Sequence, residues 1–287
     1  DIIVPLRHHH DFPNPELHSN STLLLMPAWN SGKSAGVKII TVNPKNYKFN
    51  VPSIQGTYIY LDAKKGYIKA ILDAKSLTTK RTASASALAS KYLSREDSNS
   101  LLMIGTGALS ANLIEAHASV RPLKQVYVWG RNLEKAKAVC ASFSKQNFEA
   151  IPIKNILDKL SDVDIISCAT LSKEPLIQGK HLTKGQHVDL VGSYKENMRE
   201  ADNTTIERAI VYVDTMEGAL KETGDIVQPL KEGIISKNDI KGDLFNLCSN
   251  QIKGRIASND ITVFKSVGHA LEDLVAADYY YNKFNNG

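Results

Sequence analysis

LLMIGTGALS, residues 101–110, sets Gly105 and Gly107 between a short apolar run and the start of a helical pattern. The apolar run reads as a buried strand, and ALSANLIEAHASV (108–120) reads as the helix that follows it. Glycine permits the tight turn and a close approach of backbone to a ligand, while the helix N-terminus offers oriented N–H groups to a pyrophosphate. Ser110 stands where a third glycine often occurs. A bare GxG carries little information, because tight strand-to-helix turns use glycine anyway. The strand, helix and next strand around this one make it a candidate dinucleotide site.

Downstream, QVYVWG, DIISCAT, HVDLVG and AIVYVD are further short strand candidates, with NLEKAKAVCASFSKQ (132–146) a helical stretch between them. Short apolar strands alternating with helices signify a parallel sheet with crossovers. The second strand ends in Gly130, Arg131 and Asn132, where an acidic residue would accept from the ribose hydroxyl of NAD. Arg131 can instead form a charge-assisted fork with a 2′-phosphate, so NADPH is expected, with NADH left open. A surface arginine after a strand is the plainer alternative.

Upstream the pattern changes. GVKIITVN (36–43) alternates, and GTYIYLDAKKGYIKAILD (56–73) is two β-rich runs joined at Asp62 to Gly66, a hairpin signature. SLTTKRTASASALASKYL (76–93) reads as a helix with a Ser or Thr cap, placing Ala85, Leu88, Ala89 and Tyr92 on one face and Arg81 at its head. Lys38 lies on the face of Ile40 and Val42, where a lone charge needs a partner or a ligand, unless it snorkels outward. Two cations converging from strand and helix make a carboxylate site; a structural salt bridge for Arg81 is the alternative. GHALEDLVAADYYYNKF (268–284) spaces Ala270, Leu274, Ala277 and Tyr281 along one stripe, which is expected to pack back on the first part of the chain.

The composition sets limits on function. Lys plus Arg outnumber Asp plus Glu by 35 to 30, and the charges are scattered, which gives nucleic acid no basic face. Cys140, Cys168 and Cys248 are odd in number and form no CxxC, so neither a disulfide framework nor a zinc site is indicated, and a reducing cytoplasm is expected. Arg7 to His10 (RHHH) invites a metal reading, but adjacent histidines in an extended segment point to opposite faces, so no metal is expected. No apolar run has the length of a spanning helix, so no membrane partner is expected. No GxSxG elbow or HExxH is present, which leaves hydrolase chemistry without a visible nucleophile or zinc.

Several motifs in order, LLLMPAW (23–29), DAKSLTTKRTASASALA (73–89), LLMIGTGALS, YVDTMEGALKETGD (212–225) and VFKSVGHALEDLVAA (263–277), resemble the ornithine cyclodeaminase and mu-crystallin superfamily over nearly the whole chain. VPLRHHH (4–10), LLLMPAW and VGSYKENMREAD (191–202) resemble most the Δ1-pyrroline-2-carboxylate reductase (ketimine reductase) branch. The resemblance implies an α/β protein: a Rossmann dinucleotide-binding domain over 98–267 and an α+β substrate and dimerisation domain formed by both chain ends, 1–97 and 268–287. It also implies a homodimer and a helix upstream of Asp1, which is not Met, so preceding residues are expected.

On the family pattern Arg7, Lys38 and Arg81 meet the substrate carboxylate, with Lys38 and Arg81 catalytic and Tyr194 beside the substrate. Thr57 would contact the cofactor, and Thr82, Gly105, Gly107, Ala108, Leu109 and Ser110 would hold its phosphates, with Arg131 and Asn132 at the ribose. Thr170, Val191, Gly192, Ser193, Lys265, Ser266 and Val267 would surround the nicotinamide. Cyclodeaminases of the family carry an aspartate two residues after the glycine of the VGG-type turn. Here Gly192 is followed by Ser193 and Tyr194, so that acid is missing unless Glu196 or Glu200 replaces it. The implied reaction is reduction of the cyclic imine Δ1-pyrroline-2-carboxylate to L-proline, with the six-membered Δ1-piperideine-2-carboxylate giving L-pipecolate. The alternatives are a cyclodeaminase or hydroxyproline dehydratase lyase, a non-enzymatic NADPH-binding protein of mu-crystallin type, and a reductase of linear imines or keto acids. Most of KENMREAD (195–202) reads as solvated connection and helix start.

Overall fold

Alternating residues near the N-terminus form an antiparallel sheet in the computed structural model, which describes residues 2–286. Its strands are β1 (Ile2–Ile3), β2 (His8–Asn14), β3 (Ser19–Asn30), β4 (Ser34–Val42), β5 (Ile54–Asp62) and β6 (Ile68–Asp73). They lie in the order β1-β3-β4-β5-β6, with β2 also paired to β3. The β5–β6 turn follows from two residues: Asp62 accepts from the N–H groups of Lys64 and Lys65 at 3.0 and 2.8 Å, and Gly66 supplies a φ of +79°.

The helix α1 (Ala74–Leu93) starts earlier than its sequence pattern suggested. Its cap is Asp73, whose Oδ2 accepts from Ser76 N–H at 2.7 Å, because a carboxylate satisfies an otherwise orphaned first-turn donor. Ala85 and Ala89 are buried as expected, whereas Leu88 is exposed. Ser86, Ser90 and Ser94 are buried around them, so this face is small and polar rather than an apolar stripe.

The chain divides into two units, Asp1–Arg81 with His269–Gly287, and Thr82–Gly268. The first division falls inside α1, ahead of the boundary expected at 97, since the polar break SREDSNS marks the end of the helix and not of the unit. In the first unit Met26, Ala28, Tyr58, Tyr60 and Leu77 form a core with Ala270, Leu274 and Ala277 of the terminal helix. Burying a leucine of that stripe contributes about 2 kcal/mol.

The second unit is an eight-stranded sheet. Its strands are β7 (Ser100–Ile104), β8 (Gln125–Trp129), β9 (Glu149–Ile153), β10 (Ile165–Cys168), β11 (His187–Leu190), β12 (Ile210–Val213), β13 (Ile240–Asp243) and β14 (Thr262–Lys265). Every pairing is parallel, in the order β13-β12-β14-β11-β10-β7-β8-β9. The helices are α2 (Ser110–Val120), α3 (Leu133–Ala141), α4 (Asn203–Arg208), α5 (Met216–Glu222), α6 (Gly224–Lys231) and α7 (Leu244–Cys248), and α8 (Ala270–Asn286) returns to the first unit.

The chain runs outward from β7 through β8 to β9, then returns to β10 on the other side of β7. The β7–β10 junction is therefore the point where strand order reverses, the usual binding crevice of such sheets. A polar network lies beneath it. Asp189 accepts from Ser86 and Ser167 hydroxyls at 3.0 and 2.7 Å and lies 3.1 Å from His117 Nε2, all buried.

Candidate functional site

At the carboxyl end of β7, Gly105 adopts a φ of +118°, and a Cβ there would lie 2.6 Å from the carbonyl oxygen of Ala169, at the end of β10. Only glycine lets the two strand ends approach so closely. Gly107 and Ala108 are exposed, and a Cβ on Gly107 would meet nothing within 4 Å, so the backbone here is open to an approaching group. Ser110 is buried and donates to Gly105 O at 2.9 Å, closing the turn in place of a third glycine. Leu109, the cap of α2, provides no side-chain acceptor. Ser110 N–H donates to Gly107 O at 3.2 Å, and the next donors of the first turn, at Ala111 and Asn112, call for an acceptor from outside the helix. An open glycine backbone followed by an uncapped helix start fits a dinucleotide pyrophosphate.

Arg131 follows β8 and is exposed. Asn132 has a structural role that its sequence context did not reveal: its Oδ1 accepts from Glu134 and Lys135 N–H groups at 2.9 and 3.3 Å and caps α3. Thr82 is buried in α1, at the start of the second unit. Thr57 lies in the other unit, on β5, where its hydroxyl donates to Leu72 O at 3.1 Å.

The loops after β10, β11 and β14 adjoin one another at the same sheet edge, which brings Thr170, Val191, Gly192, Ser193, Ser266 and Val267 together. Glu200 holds two of these loops. Its Oε1 accepts from Thr170 N–H at 2.6 Å and from the Thr170 hydroxyl at 2.9 Å, and its Oε2 accepts from Gly192 N–H at 2.7 Å. Asp214 holds the third, accepting from Val267 and Gly268 N–H groups at 2.7 Å each and from the Ser266 hydroxyl at 3.2 Å.

One sequence expectation, the solvated reading of KENMREAD, needs correction here. The Lys265 side chain is fully buried, with Nζ 3.3 Å from Asp225 Oδ2 and 4.0 Å from Glu200 Oε2. Its strand position points it at the two carboxylates, and a buried ammonium needs them. KENMREAD is solvated only at Lys195, Glu196 and Asn197, since Arg199, Glu200 and Ala201 are buried, with Asp202 capping α4. Burial pushes the Glu200 carboxyl up to about 7, against the opposing pull of the Lys265 charge. Ser193 is also buried and donates to Met198 O at 2.6 Å, leaving Tyr194 half-buried with the Lys195 ammonium 5.6 Å from its ring centroid.

In the first unit, Lys38 and Arg81 meet over one carboxylate. Lys38 Nζ lies 2.9 and 2.7 Å from the two Asp273 oxygens, and Arg81 Nε lies 3.0 Å from Asp273 Oδ1, with an Arg81 Nη1–Glu272 Oε2 pair at 2.6 Å. Both the converging cations and the salt bridge foreseen as an alternative for Arg81 are thus present. Burial, then the adjacent Arg81 charge, lowers Lys38 to about 8 against the pull of Asp273, and the Arg7 charge acts in the same lowering direction. Tyr58, the cross-strand neighbour of Lys38, buries a hydroxyl with no hydrogen-bond partner among the described residues. Asp273, Glu272 and Tyr58 escaped the sequence reading, as did Asp225 and Asp214, and Glu200 entered it only as a replacement acid. The one available signal was the acidic pair Glu272–Asp273 at the start of a helix whose stripe was recognised as buried.

The chain matches the model of the ornithine cyclodeaminase/mu-crystallin family over residues 9–287. It is 45% identical to an uncharacterized protein of Schizosaccharomyces pombe, over 99% of this chain and 89% of that one. It is 37% identical to the Delta(1)-pyrroline-2-carboxylate reductase of Colwellia psychrerythraea, over 96% of this chain and 87% of that one. Among solved structures, the Thermococcus litoralis Delta(1)-pyrroline-2-carboxylate reductase, in complex with NADH and L-proline, superposes with a TM-score of 0.92 at 32% identity, covering 99% of this chain and 88% of that one.

Proposed function

Since the chain belongs to the ornithine cyclodeaminase/mu-crystallin family, we propose that it is a nicotinamide-dependent reductase of cyclic imino acids. In this reading it converts Δ1-pyrroline-2-carboxylate to L-proline, accepts Δ1-piperideine-2-carboxylate to give L-pipecolate, and uses NADPH in preference to NADH. It acts as a homodimer. The observation that carries the reading is the first-unit cluster, where Lys38 and Arg81 share Asp273, the Arg7 charge bears on Lys38, and the Tyr58 hydroxyl is buried with no hydrogen-bond partner among the described residues. Such a concentration of donors receives a carboxylate well and discriminates against neutral imines.

When bound, the reduced nicotinamide supplies the hydride that adds to the imine carbon. The chain's residues orient and neutralise. The glycine turn and the start of α2 hold the dinucleotide phosphates, and Arg131 selects the 2′-phosphate. Arg7, Lys38 and Arg81 hold the substrate carboxylate, which offsets their charges beside a cationic ring nitrogen. With its pKa lowered to about 8, Lys38 carries a proton at neutral pH that it can give to the nitrogen of a neutral imine, which thereby becomes the cationic form.

A cyclodeaminase needs an acid in the loop after β11. Tyr194 takes that position, Glu200 is engaged by Thr170 and Gly192, and Glu196 is exposed and paired with Lys231. The test follows nicotinamide absorbance with the cyclic imine and NADPH or NADH, beside product analysis with ornithine and hydroxyproline. Stoichiometric NADPH oxidation with formation of L-proline is expected. Ammonia released from ornithine without net cofactor change would refute the reading.

A further inference from the structure

One carboxylate ties together two neighbouring loops of the second unit. Thr170 follows β10 and Gly192 follows β11, and Glu200 accepts from the backbone N–H of both, at 2.6 and 2.7 Å. The loops fit closely, for a Cβ on Gly192 would lie 1.9 Å from Thr170 O and 2.2 Å from Thr170 N. Glu200 is fixed from behind as well: its own N–H and that of Ala201 donate to Asp225 Oδ1 at 2.8 and 3.1 Å, and its carbonyl accepts from Leu176 and Ile177 N–H groups at 2.9 Å each. Lys265 completes the group, and all three charged side chains have zero exposure.

Stability alone does not call for such a group. Apolar side chains of similar volume often replace a buried ion cluster without loss. Here both acceptor oxygens serve loops at the sheet edge where the reductase reading places the nicotinamide.

Resting on that reading, we propose that Glu200 is a positioning residue of the nicotinamide site: its ionised carboxylate sets the spacing of the Thr170 and Gly192 loops, and Lys265 keeps that carboxylate ionised. The chemistry requires an anion because both partners are N–H donors. An amide or a protonated acid at position 200 presents a hydrogen to one of them, and that loop loses its acceptor. The groups facing Glu200 are Lys265 from β14, Asp225 from α6, the Cys168 thiol from β10 and Thr170 from the following loop. Lys265, Thr170 and Cys168 favour the anion, whereas burial and Asp225 oppose it, which leaves the carboxyl at about 7.

The test compares NADPH with 2′-phospho-ADP-ribose, which lacks the nicotinamide, by fluorescence and calorimetry on the whole protein and its Glu200→Gln variant. NADPH affinity is expected to fall about tenfold in the variant while fragment affinity stays within about twofold, the size expected for a lost hydrogen bond to a charged acceptor. In the unsubstituted protein, NADPH affinity should also fall relative to fragment affinity as pH drops below about 7, and this dependence should vanish in E200Q. Equal losses for both ligands, unchanged NADPH affinity, or a pH dependence that persists in the variant would overturn the proposal. If E200Q does not fold, the pH profiles of the two ligands on the unsubstituted protein decide, parallel profiles overturning it. No imine enters these measurements, so absent turnover with the NADPH-to-fragment difference intact sinks only the reductase reading.

Discussion

The two units each bury a cluster of charges, and the clusters differ in sign and in seal. In the first unit two cations, Lys38 and Arg81, share Asp273, with Glu272 at the margin and 16% exposed. In the second, two carboxylates, Glu200 and Asp225, surround one ammonium, and nothing is exposed. Burial works on one of the two like charges in each case, lowering Lys38 to about 8 and raising Glu200 to about 7. A cation-rich cluster with an open margin suits an anionic ligand. A sealed, anion-rich one whose oxygens are committed to backbone donors suits the fixing of loops.

The largest effect should come from removing the shared anion. Asp273→Asn removes the charge that the buried Lys38 and Arg81 share, and a destabilisation of about 3–5 kcal/mol is expected in urea unfolding. Asp225→Asn should cost clearly less, because Lys265 retains Glu200 as its counter-charge. Equal losses from the two substitutions would remove the asymmetry between the clusters.

A smaller effect separates clamp from salt bridge at Arg81. Arg81→Lys keeps a cation but loses the planar fork, so KM for the imine should rise by about tenfold with NADPH affinity and fold intact. Unchanged kinetics would assign Arg81 wholly to Glu272 and Asp273.

The contrast also marks what a sequence can convey. Gly105, Gly107 and the strand-turn-helix pattern were legible because the backbone itself demands glycine there, and the demand is local. Lys38 and Arg81 were legible as charges on apolar faces, but their partners were not: Asp273 lies 235 and 192 residues away along the chain. Pairing over such separations leaves no periodic trace. Glu200 was hidden differently, inside a run of polar residues whose composition reads as solvent-facing, since composition does not tell whether a carboxylate turns inward to meet backbone donors. Leu88 erred in the opposite sense, as its helical spacing suited a buried stripe that the serines of α1 occupy instead.

The finest distinction between the clusters is their response to pH, and its sign is opposite in the two. Lys38 titrates at about 8 in the folded protein against an ordinary value of 10.5, so between those limits the folded state holds fewer protons than the unfolded one. Its contribution to stability is fully present above 10.5 and is lost as pH falls through 8. Glu200 is raised from 4.5 to about 7, so its contribution is present below 4.5 and lost as pH rises through 7. Ligand binding at Lys38 runs against its own stability trend, because a carboxylate needs the ammonium form. KM for the imine should be flat below about pH 7, about twofold higher at about pH 8 and about fourfold higher at about pH 8.5, with NADPH affinity unchanged over the same interval. Lys38→Met should raise KM at every pH and remove the alkaline rise; a rise that survives in that variant would place the titrating group elsewhere.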